Sequence, residues 1–301
     1  MSITPGTVPN PRGHTATTIH PDTTMGPVAL RVADLNRSLR FYQETIGFQL
    51  IRHASDTATL GAAGVPLLVL REVPGAHPVP RRATGLYHFA ILVPTRADLG
   101  RALQRLIEAR VPIGQGDHLV SEALYLSDPD DNGIEIYRDR PRDTWHWQNG
   151  QVQMATDPVD LQGLLVEAER EGQVPEGMPP GTTIGHVHLK VGDIPQANTF
   201  YHDLFGFDVV AQLPSALFVS AGGYHHHLGM NIWESRGASP AQEGFAGLDS
   251  FTIVLPNAEE QARLLARFAG AGLTFERQGE QVVLPDPWDN RVVLTLADGA
   301  A

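Results

Sequence analysis

The sequence predicts an α+β fold built from four βαβββ modules, because its two halves repeat each other. Four pairs of segments are similar: residues 27–35 and 186–194, 41–48 and 200–207, 85–94 and 247–256, and 128–132 and 286–290. The first two pairs are both offset by 159 residues, which indicates a duplication of the whole unit. A strand followed by a helix also recurs within each half. We therefore expect modules that start near residues 26, 85, 184 and 247.

Each module opens with a strand and a helix whose ends are marked by capping residues. In the first module, alternating apolar residues at 28–32 predict a half-buried strand, and Asp34 is placed to cap a helix that Gly47 ends. In the second module, Thr95 is placed to cap a helix. The apolar residues of these helices recur at helical spacing, so we assign them to the core. Short strand signals follow the helices, at residues 59–60, 66–71, 123–126 and 133–137.

The chain divides into four regions. We expect a flexible N-terminal arm at residues 1–24, a first module pair at 25–137, a linker at 138–183 and a second module pair at 184–301. The linker is expected to hold one helix, from about residue 158 to residue 171. It also contains Trp145, His146 and Trp147, which either pack against a lobe or contact a ligand.

Composition and charge narrow the classes of protein to which this chain can belong. It has 301 residues, enough for two lobes, and a net charge of −12 without any run of Lys or Arg. We therefore expect neither nucleic acid nor an anionic membrane as a partner. The sequence shows no apolar run of about 18 residues and no secretory leader, so a cytoplasmic protein is expected. Because cysteine is absent, a metal site would have to use His, Asp or Glu.

Two histidines and one glutamate stand out when equivalent positions of the modules are compared. The start of the first strand carries, in module order, Pro27, His88, His186 and Ser250. Glu135 lies in an apolar strand at the position that Val293 occupies in the fourth module. A buried, unpaired carboxylate costs several kcal/mol, so a cation is expected beside Glu135. Two histidines and one carboxylate form the facial triad that leaves open positions on Fe(II), and the set predicts a metal site.

Further histidines lie near these positions in the sequence. His188 shares a strand face with His186, but its counterpart in the second module is Ala90, so we assign it to packing or to the surroundings of the site. Residues 225–227 are three consecutive histidines. If they lie on a strand, alternation places His226 on one face and its two neighbours on the other.

These residues resemble the vicinal oxygen chelate superfamily, which includes glyoxalases, bleomycin resistance proteins and extradiol dioxygenases, and whose βαβββ modules curl around a metal. The similarity covers nearly all of the chain after residue 25. Residues 222–231 and 124–137 are most similar to bacterial extradiol catechol-2,3-dioxygenases. In that group an active-site Tyr precedes the metal-binding Glu by ten positions, and Tyr125 and Glu135 keep this spacing.

The resemblance implies two metal-cup-like barrels, one of which holds a complete metal site. Its ligands would be His88, Glu135 and His186, which suit Fe(II) and would also suit Mn(II). Because these residues belong to the second and third modules, the chemistry requires those two modules to share one cup. The first module would then pair with the fourth.

The resemblance also implies a reaction and further site residues. A catechol, as the small aromatic diol substrate, would react with O2 to give a muconic semialdehyde. His226 would be the acid–base residue, and Tyr125 and His118 would hydrogen-bond to the developing oxygen charge. His118 lies two residues closer to Tyr125 than the family pattern has it. The oligomeric state is left open, with a homo-oligomer among the alternatives.

Two other functions use the same fold. A glyoxalase-type isomerase or a thiol transferase would add a second carboxylate from the partner module, and residues 228–230, where it should lie, contain none. A metal-free protein that sequesters a small molecule such as an antibiotic would have no need for both histidines and the glutamate.

Overall fold

The first two modules have the expected order of elements. The computed structural model describes residues 17–172, 177–241 and 244–297. The first module consists of β1 (Thr24–Val32), α1 (Leu35–Arg40), β2 (Gln49–His53), β3 (Thr57–Ala62) and β4 (Val65–Glu72). The second consists of β5 (Gly85–Leu92), α2 (Arg96–Glu108), β6 (Gly114–Asp117), β7 (Ser121–Ser127) and β8 (Gly133–Asp139). A π-helical segment, Phe41–Ile46, continues α1 up to Gly47.

The linker and the last two modules complete the chain. The linker contains a 3-10 turn (Arg142–Thr144), β9 (Trp147–Gln148), β10 (Gln151–Val152) and α3 (Leu161–Glu171). The third module consists of β11 (Thr183–Lys190), α4 (Ile194–Ala197) with a π-helical continuation (Asn198–Leu204), β12 (Asp208–Leu213), β13 (Ala216–Ser220) and β14 (Leu228–Asn231). The fourth consists of β15 (Gly247–Leu255), α5 (Ala258–Gly270), β16 (Glu276–Gln278), β17 (Gln281–Pro285) and β18 (Arg291–Leu296). The predicted α+β fold of four βαβββ modules is therefore confirmed.

Two eight-stranded sheets are formed, and each combines one module from each half of the chain. One sheet has the order β16-β17-β18-β15-β1-β4-β3-β2 and joins the first module to the fourth. The other has the order β12-β13-β14-β11-β5-β8-β7-β6 and joins the second module to the third. The predicted pairing of modules is confirmed. The division into residues 25–137 and 184–301 follows the sequence repeat and does not separate the two sheets, because each sheet takes strands from both parts.

The capping residues act as the sequence predicts. The side chain of Asp34 accepts from the backbone N–H of Arg37 at the start of α1. Thr95 and Asp98 form a capping box, in which each side chain accepts from the other residue's backbone N–H. The linker helix α3 begins at Leu161, three residues later than expected, because the Asp160 side chain caps it.

The described part of the predicted N-terminal arm packs against the third and fourth modules. Residues 1–16 lie outside the described residues. Ile19 is buried, and its backbone N–H donates to the carbonyl of Gly206 over 2.8 Å. Arg263 on α5 donates to the carbonyl of Thr18 over 2.6 Å. Residues 17–23 thus link two modules that belong to different sheets.

No helix in the described ranges is both long and apolar enough to cross a membrane.

A repeated tyrosine clamp ties each π-helical segment to the next module. The Tyr42 hydroxyl donates to the Asp128 carboxylate over 2.9 Å, and the Tyr201 hydroxyl donates to Asp286 over 2.8 Å. Both carboxylates are buried in the Asp-Pro turn before the last strand of a module. Burial raises the pKa of Asp128, so its hydrogen bonds are needed to hold the ionised form. The two clamps connect the two sheets at equivalent places.

We expect Tyr42→Phe to lower the free energy of unfolding by about 1–3 kcal/mol, because a buried carboxylate loses a donor. Urea unfolding followed by circular dichroism measures this, and Tyr201→Phe should give a loss of similar size. Tyr87→Phe is the control, since the half-exposed Tyr87 hydroxyl makes no hydrogen bond within the described residues. A Tyr42→Phe protein as stable as the control would contradict the role assigned to the clamp.

Candidate metal centre

The two central strands of the second sheet bring His88 and His186 together. Strands β5 and β11 are antiparallel neighbours, with His186 opposite Ala90 and His188 opposite His88. The two predicted ligands therefore stand at diagonal positions on one face of the sheet. Strand β8 runs parallel to β5 on its other side and places Glu135 beside Ala90. Three side chains that are distant in sequence thus converge on one point.

The ligand atoms of these three side chains lie at the spacing of a metal site. The Nε2 atoms of His88 and His186 are 3.4 Å apart, and each lies 3.0 Å from Glu135 Oε2. Two ligands at right angles, each about 2.1 Å from a metal, are about 3.0 Å apart, so the set fits one ion. These three residues form a group that could hold a metal ion, and all three are buried. Two imidazoles and one carboxylate suit iron, manganese or zinc.

Burial sets the protonation states that metal binding needs. Burial lowers the pKa of His186 to about 4. Burial alone would raise the pKa of Glu135, but the adjacent His186 and His88 outweigh that effect and hold it well below its usual range. At neutral pH the imidazole of His186 is therefore neutral and the carboxylate is ionised. The imidazole and the carboxylate together therefore hold no excess proton that a cation would have to displace.

The position related to Glu135 by the internal repeat is a glycine. Strand β14 runs parallel to β11 and places Gly229 beside His188, just as β8 places Glu135 beside Ala90. A Cβ atom at Gly229 would lie 3.0 Å from the His188 ring, so even a small side chain there would be crowded. The third module therefore offers one candidate ligand where the second offers two. The candidate site has three such side chains among the described residues.

Tyr125 and His118 form a hydrogen-bonded pair at the edge of the cluster. The register puts Tyr125 on β7 directly opposite Glu135. His118 Nε2 lies 2.6 Å from the Tyr125 hydroxyl, and His118 Nδ1 lies 2.8 Å from the carbonyl of Ala155. Because a carbonyl can only accept, Nδ1 carries the proton of a neutral His118, and Nε2 accepts from the Tyr125 hydroxyl. Burial, followed by the charge of Glu135, raises the pKa of Tyr125 well above its usual value.

Two of the three consecutive histidines face the cluster. Residues 225–227 precede β14 and are not part of a strand, so the predicted alternation of faces does not apply. The ring of His226 packs 4.1 Å from that of His186, centre to centre, and Nδ1 of His226 lies 2.8 Å from Nδ1 of His225. His227 points away, and its Nδ1 accepts from the backbone N–H of Ala221.

Aromatic side chains surround the ligands on the other side. His188 accepts a hydrogen bond from Asn231 over 3.0 Å and packs against Tyr87 at 5.0 Å between ring centres. Trp233 packs against both Tyr87 and His188. Tyr87 and Trp233 are 39% and 52% exposed, so they form an aromatic rim that solutes can reach. Tyr87 also lines a cavity of about 750 Å³ that reaches the other sheet.

The linker covers part of the site. The sequence left open whether its tryptophans pack against a lobe or contact a ligand. Trp145 is buried against Tyr224 and His225 and donates from Nε1 to the carbonyl of Arg140. Trp147 packs against the same apolar cluster, and its buried Nε1 has no hydrogen-bond partner among the described residues. Trp145 therefore has a packing role.

Sequence reasoning missed Asp139, Asn231 and Tyr224. Asp139 accepts from His225 Nε2 over 2.9 Å and from the Tyr224 hydroxyl over 3.2 Å. A signal for it existed, because Asp139 lies four residues after Glu135 at the end of the same strand, and residues an even number apart on a strand share a face.

Comparisons with known proteins agree with this architecture. A family model described as "Glyoxalase/Bleomycin resistance protein/Dioxygenase superfamily" matches residues 24–136 and 183–292. A protein of Bacillus subtilis (strain 168) named catechol-2,3-dioxygenase is 50% identical over 276 residues, which cover 90% of this chain and 96% of that protein.

Two solved structures share the fold at low sequence identity. A putative dioxygenase from Bacillus subtilis subsp. subtilis str. 168 matches with a TM-score of 0.63 and 14% identity, covering 92% of this chain and 86% of the other. Glyoxalase I from Zea mays matches with a TM-score of 0.54 and 18% identity, covering 91% of this chain and 92% of the other.

The buried histidines make the metal-free protein sensitive to acid. Because the pKa of His186 is about 4 in the folded state and near 6.5 in the unfolded state, the unfolded state binds more protons between these values. Stability is therefore fully present above pH 6.5 and falls as the pH falls toward 4. We expect a loss of about 2 kcal/mol from His186 alone between pH 7 and pH 5. Burial also lowers the pKa of His226, His227 and His188, which increases the loss.

Urea unfolding of chelator-treated protein at pH 7 and pH 5 measures this change. Replacement of the exposed His53 by Gln is the control and should leave the pH dependence unaltered. Equal stability at the two pH values would contradict the assignment of neutral, buried imidazoles.

Proposed function

The chain belongs to the glyoxalase/bleomycin resistance protein/dioxygenase superfamily, and we propose that it is an extradiol ring-cleaving dioxygenase. Its substrate is a catechol or a substituted catechol, its metal is Fe(II), and its second substrate is O2. The ring bond beside the diol breaks, and both atoms of O2 enter the product, a muconic semialdehyde. The reaction balances without an external reductant. We place this activity in the cytoplasm, as the sequence predicts.

The observation that carries the proposal is the convergence of His88, His186 and Glu135 on one point. Three ligands leave positions open on an octahedral ion, and Fe(II) bound there would offer them to the two oxygens of a catechol and to O2. The 50% identity with a protein named catechol-2,3-dioxygenase supports the same reaction.

His226 is suited to move a proton at this site. Burial lowers its pKa well below the usual value, so the ring is neutral at physiological pH and keeps one nitrogen free of a proton. Its ring centre lies 4.1 Å from that of His186, so it is next to one of the proposed ligands. We assign it the removal of a proton from the catechol hydroxyl and its later return.

Tyr125 and His118 act as a pair in this proposal. The Tyr125 proton is directed to His118, so the phenol oxygen is held in place opposite Glu135 and can accept from a substrate hydroxyl. Donation from Tyr125 to a developing negative charge requires the proton to turn away from His118. The pair therefore holds the substrate oxygen both when Tyr125 accepts a hydrogen bond from it and when Tyr125 donates one to it.

A glyoxalase-type isomerase is the main alternative on this fold. The position symmetric to Glu135 is Gly229, so the second carboxylate expected for that class is absent from the described site. A metal-free binding protein would have to bury the Glu135 carboxylate between the rings of His88 and His186 with no cation. The dioxygenase proposal explains both features.

We expect Glu135→Gln to abolish iron retention, because the site loses its carboxylate while keeping its shape. After anaerobic reconstitution with Fe(II) and gel filtration, the native protein should hold about one iron per chain, and the variant should hold less than a tenth of that. Oxygen uptake with catechol, and the yellow ring-fission product, should disappear with the iron. Replacement of the exposed Glu108 by Gln is the control and should keep both.

A Glu135→Gln protein that retains iron and oxygen uptake would contradict the proposed site. Iron binding without oxygen uptake, but with isomerase activity on a thiol adduct, would favour the glyoxalase class. A native protein that binds no metal would favour the metal-free class.

We expect His226→Phe to keep its iron and to lower kcat by about 10²–10⁴-fold, because the ring that moves the proton is lost while the three ligands remain. Iron content and steady-state kinetics with catechol measure this. A matched substitution, His53→Phe at an exposed site, should leave kcat unchanged. Native kcat in the His226→Phe protein would remove His226 from the reaction.

A further inference from the structure

We infer that Asp139 and His225 are positioning residues that fix which nitrogen of His226 carries the proton. The inference rests on the proposed function, because it assigns His226 a proton to move. It adds two residues that act through His226 and not through the metal ligands. The tautomers of His225 and His226, however, can be measured in the metal-free protein.

A continuous hydrogen-bonded chain leads from the surface to His226. The Asp139 Oδ1 atom lies 2.9 Å from His225 Nε2, and His225 Nδ1 lies 2.8 Å from His226 Nδ1. The side chain of Asp139 is 24% exposed, whereas that of His225 is 1% exposed. The chain thus begins at a solvated carboxylate and ends at a buried imidazole.

The chemistry of the chain sets the direction of each hydrogen bond. An ionised carboxylate can only accept, so His225 Nε2 must carry a proton. A neutral imidazole has one N–H and one bare nitrogen, so His225 Nδ1 is an acceptor. It follows that His226 donates from Nδ1. The Nε2 atom of a neutral His226 is then left without a proton.

That bare nitrogen is the one a general base needs. The two ring nitrogens of His226 lie on opposite sides of the ring, so the contact of Nδ1 with His225 leaves Nε2 on the side away from the chain. His226 Nε2 has no hydrogen-bond partner among the residues of the structure that are described. It can take a proton from a catechol hydroxyl, which makes His226 an imidazolium, and can return the same proton to the product. The opposite tautomer would present an N–H there and could not act as a base.

Several neighbours hold the chain in this arrangement. The Tyr224 hydroxyl donates to Asp139, and the Tyr137 and Tyr224 hydroxyls are 2.6 Å apart. Trp145 from the linker packs on His225 with ring centres 5.3 Å apart. Tyr224 also packs on His225, with ring centres 4.2 Å apart. The His225 ring is enclosed by aromatic groups, so it cannot exchange its two nitrogens without displacing them. The covering linker therefore also has a part in proton placement.

The direct test is nitrogen NMR of the metal-free protein labelled with 15N-histidine. Two-bond 1H–15N correlations at pH 8 distinguish an Nδ1–H ring from an Nε2–H ring, and the His225→Gln and His226→Gln proteins assign the signals. We expect Nε2–H for His225 and Nδ1–H for His226. An Nε2–H ring at His226, or a doubly protonated His225, would overturn the inference.

A variant tests the consequence for turnover. We expect Asp139→Asn to lower kcat with catechol by roughly 10–100-fold, with KM and iron content unchanged, because an amide no longer forces His225 to donate. The His226 signal in the same protein should show a mixture of tautomers. Asp139→Glu, which keeps the carboxylate, should recover part of the lost kcat. Replacement of the exposed Asp143 by Asn, in the same segment, is the control and should match the native protein.

The two proposals fail in different ways. If the protein binds no iron or consumes no oxygen, the proposed function fails while the tautomers of the native protein still decide the inference. If iron and oxygen uptake are present but Asp139→Asn leaves both kcat and the His226 tautomer unchanged, the inference alone is overturned.

Discussion

The antiparallel pairing of β5 with β11 is the constraint on which the candidate centre depends. It joins the second module to the third, and its register sets His88 and His186 at diagonal positions beside Ala90, where β8 adds Glu135. A shift of one residue would turn every side chain of a strand to the opposite face and separate the three ligands. The contacts of the buried Glu135 carboxylate with the two imidazoles, and the close approach of Gly229 to His188, depend on this register.

Much of the fold could be predicted from the sequence, because a duplicated chain lets one module be read against another. Equivalent positions share backbone geometry. Glu135, which lies where the fourth module has Val293, therefore indicated a functional role and not a structural one. The cross pairing of modules followed from the need to unite His88, Glu135 and His186, and the two sheets confirm that pairing. The capping residues Asp34 and Thr95 act locally, so short-range spacing was enough to find them.

The remaining features depend on contacts between segments that no local pattern records. Residues 225–227 form an irregular segment, so the alternation expected of a strand gave the wrong arrangement of their faces. The linker carries Trp145 onto His225 and Ala155 onto His118, and neither contact has a periodic signal. Asp139 could be noticed from its place after Glu135, but its partner His225 is 86 residues away. Tertiary packing therefore decides how the buried histidines are arranged around the candidate centre.

Anomalous diffraction at the iron edge, from crystals of the Fe(II)-reconstituted protein, locates the metal. We expect one strong anomalous peak in each chain, about 2.0–2.3 Å from His88 Nε2, His186 Nε2 and a carboxylate oxygen of Glu135. A peak bound to other side chains, or bound to only one of the two histidines, would contradict this expectation.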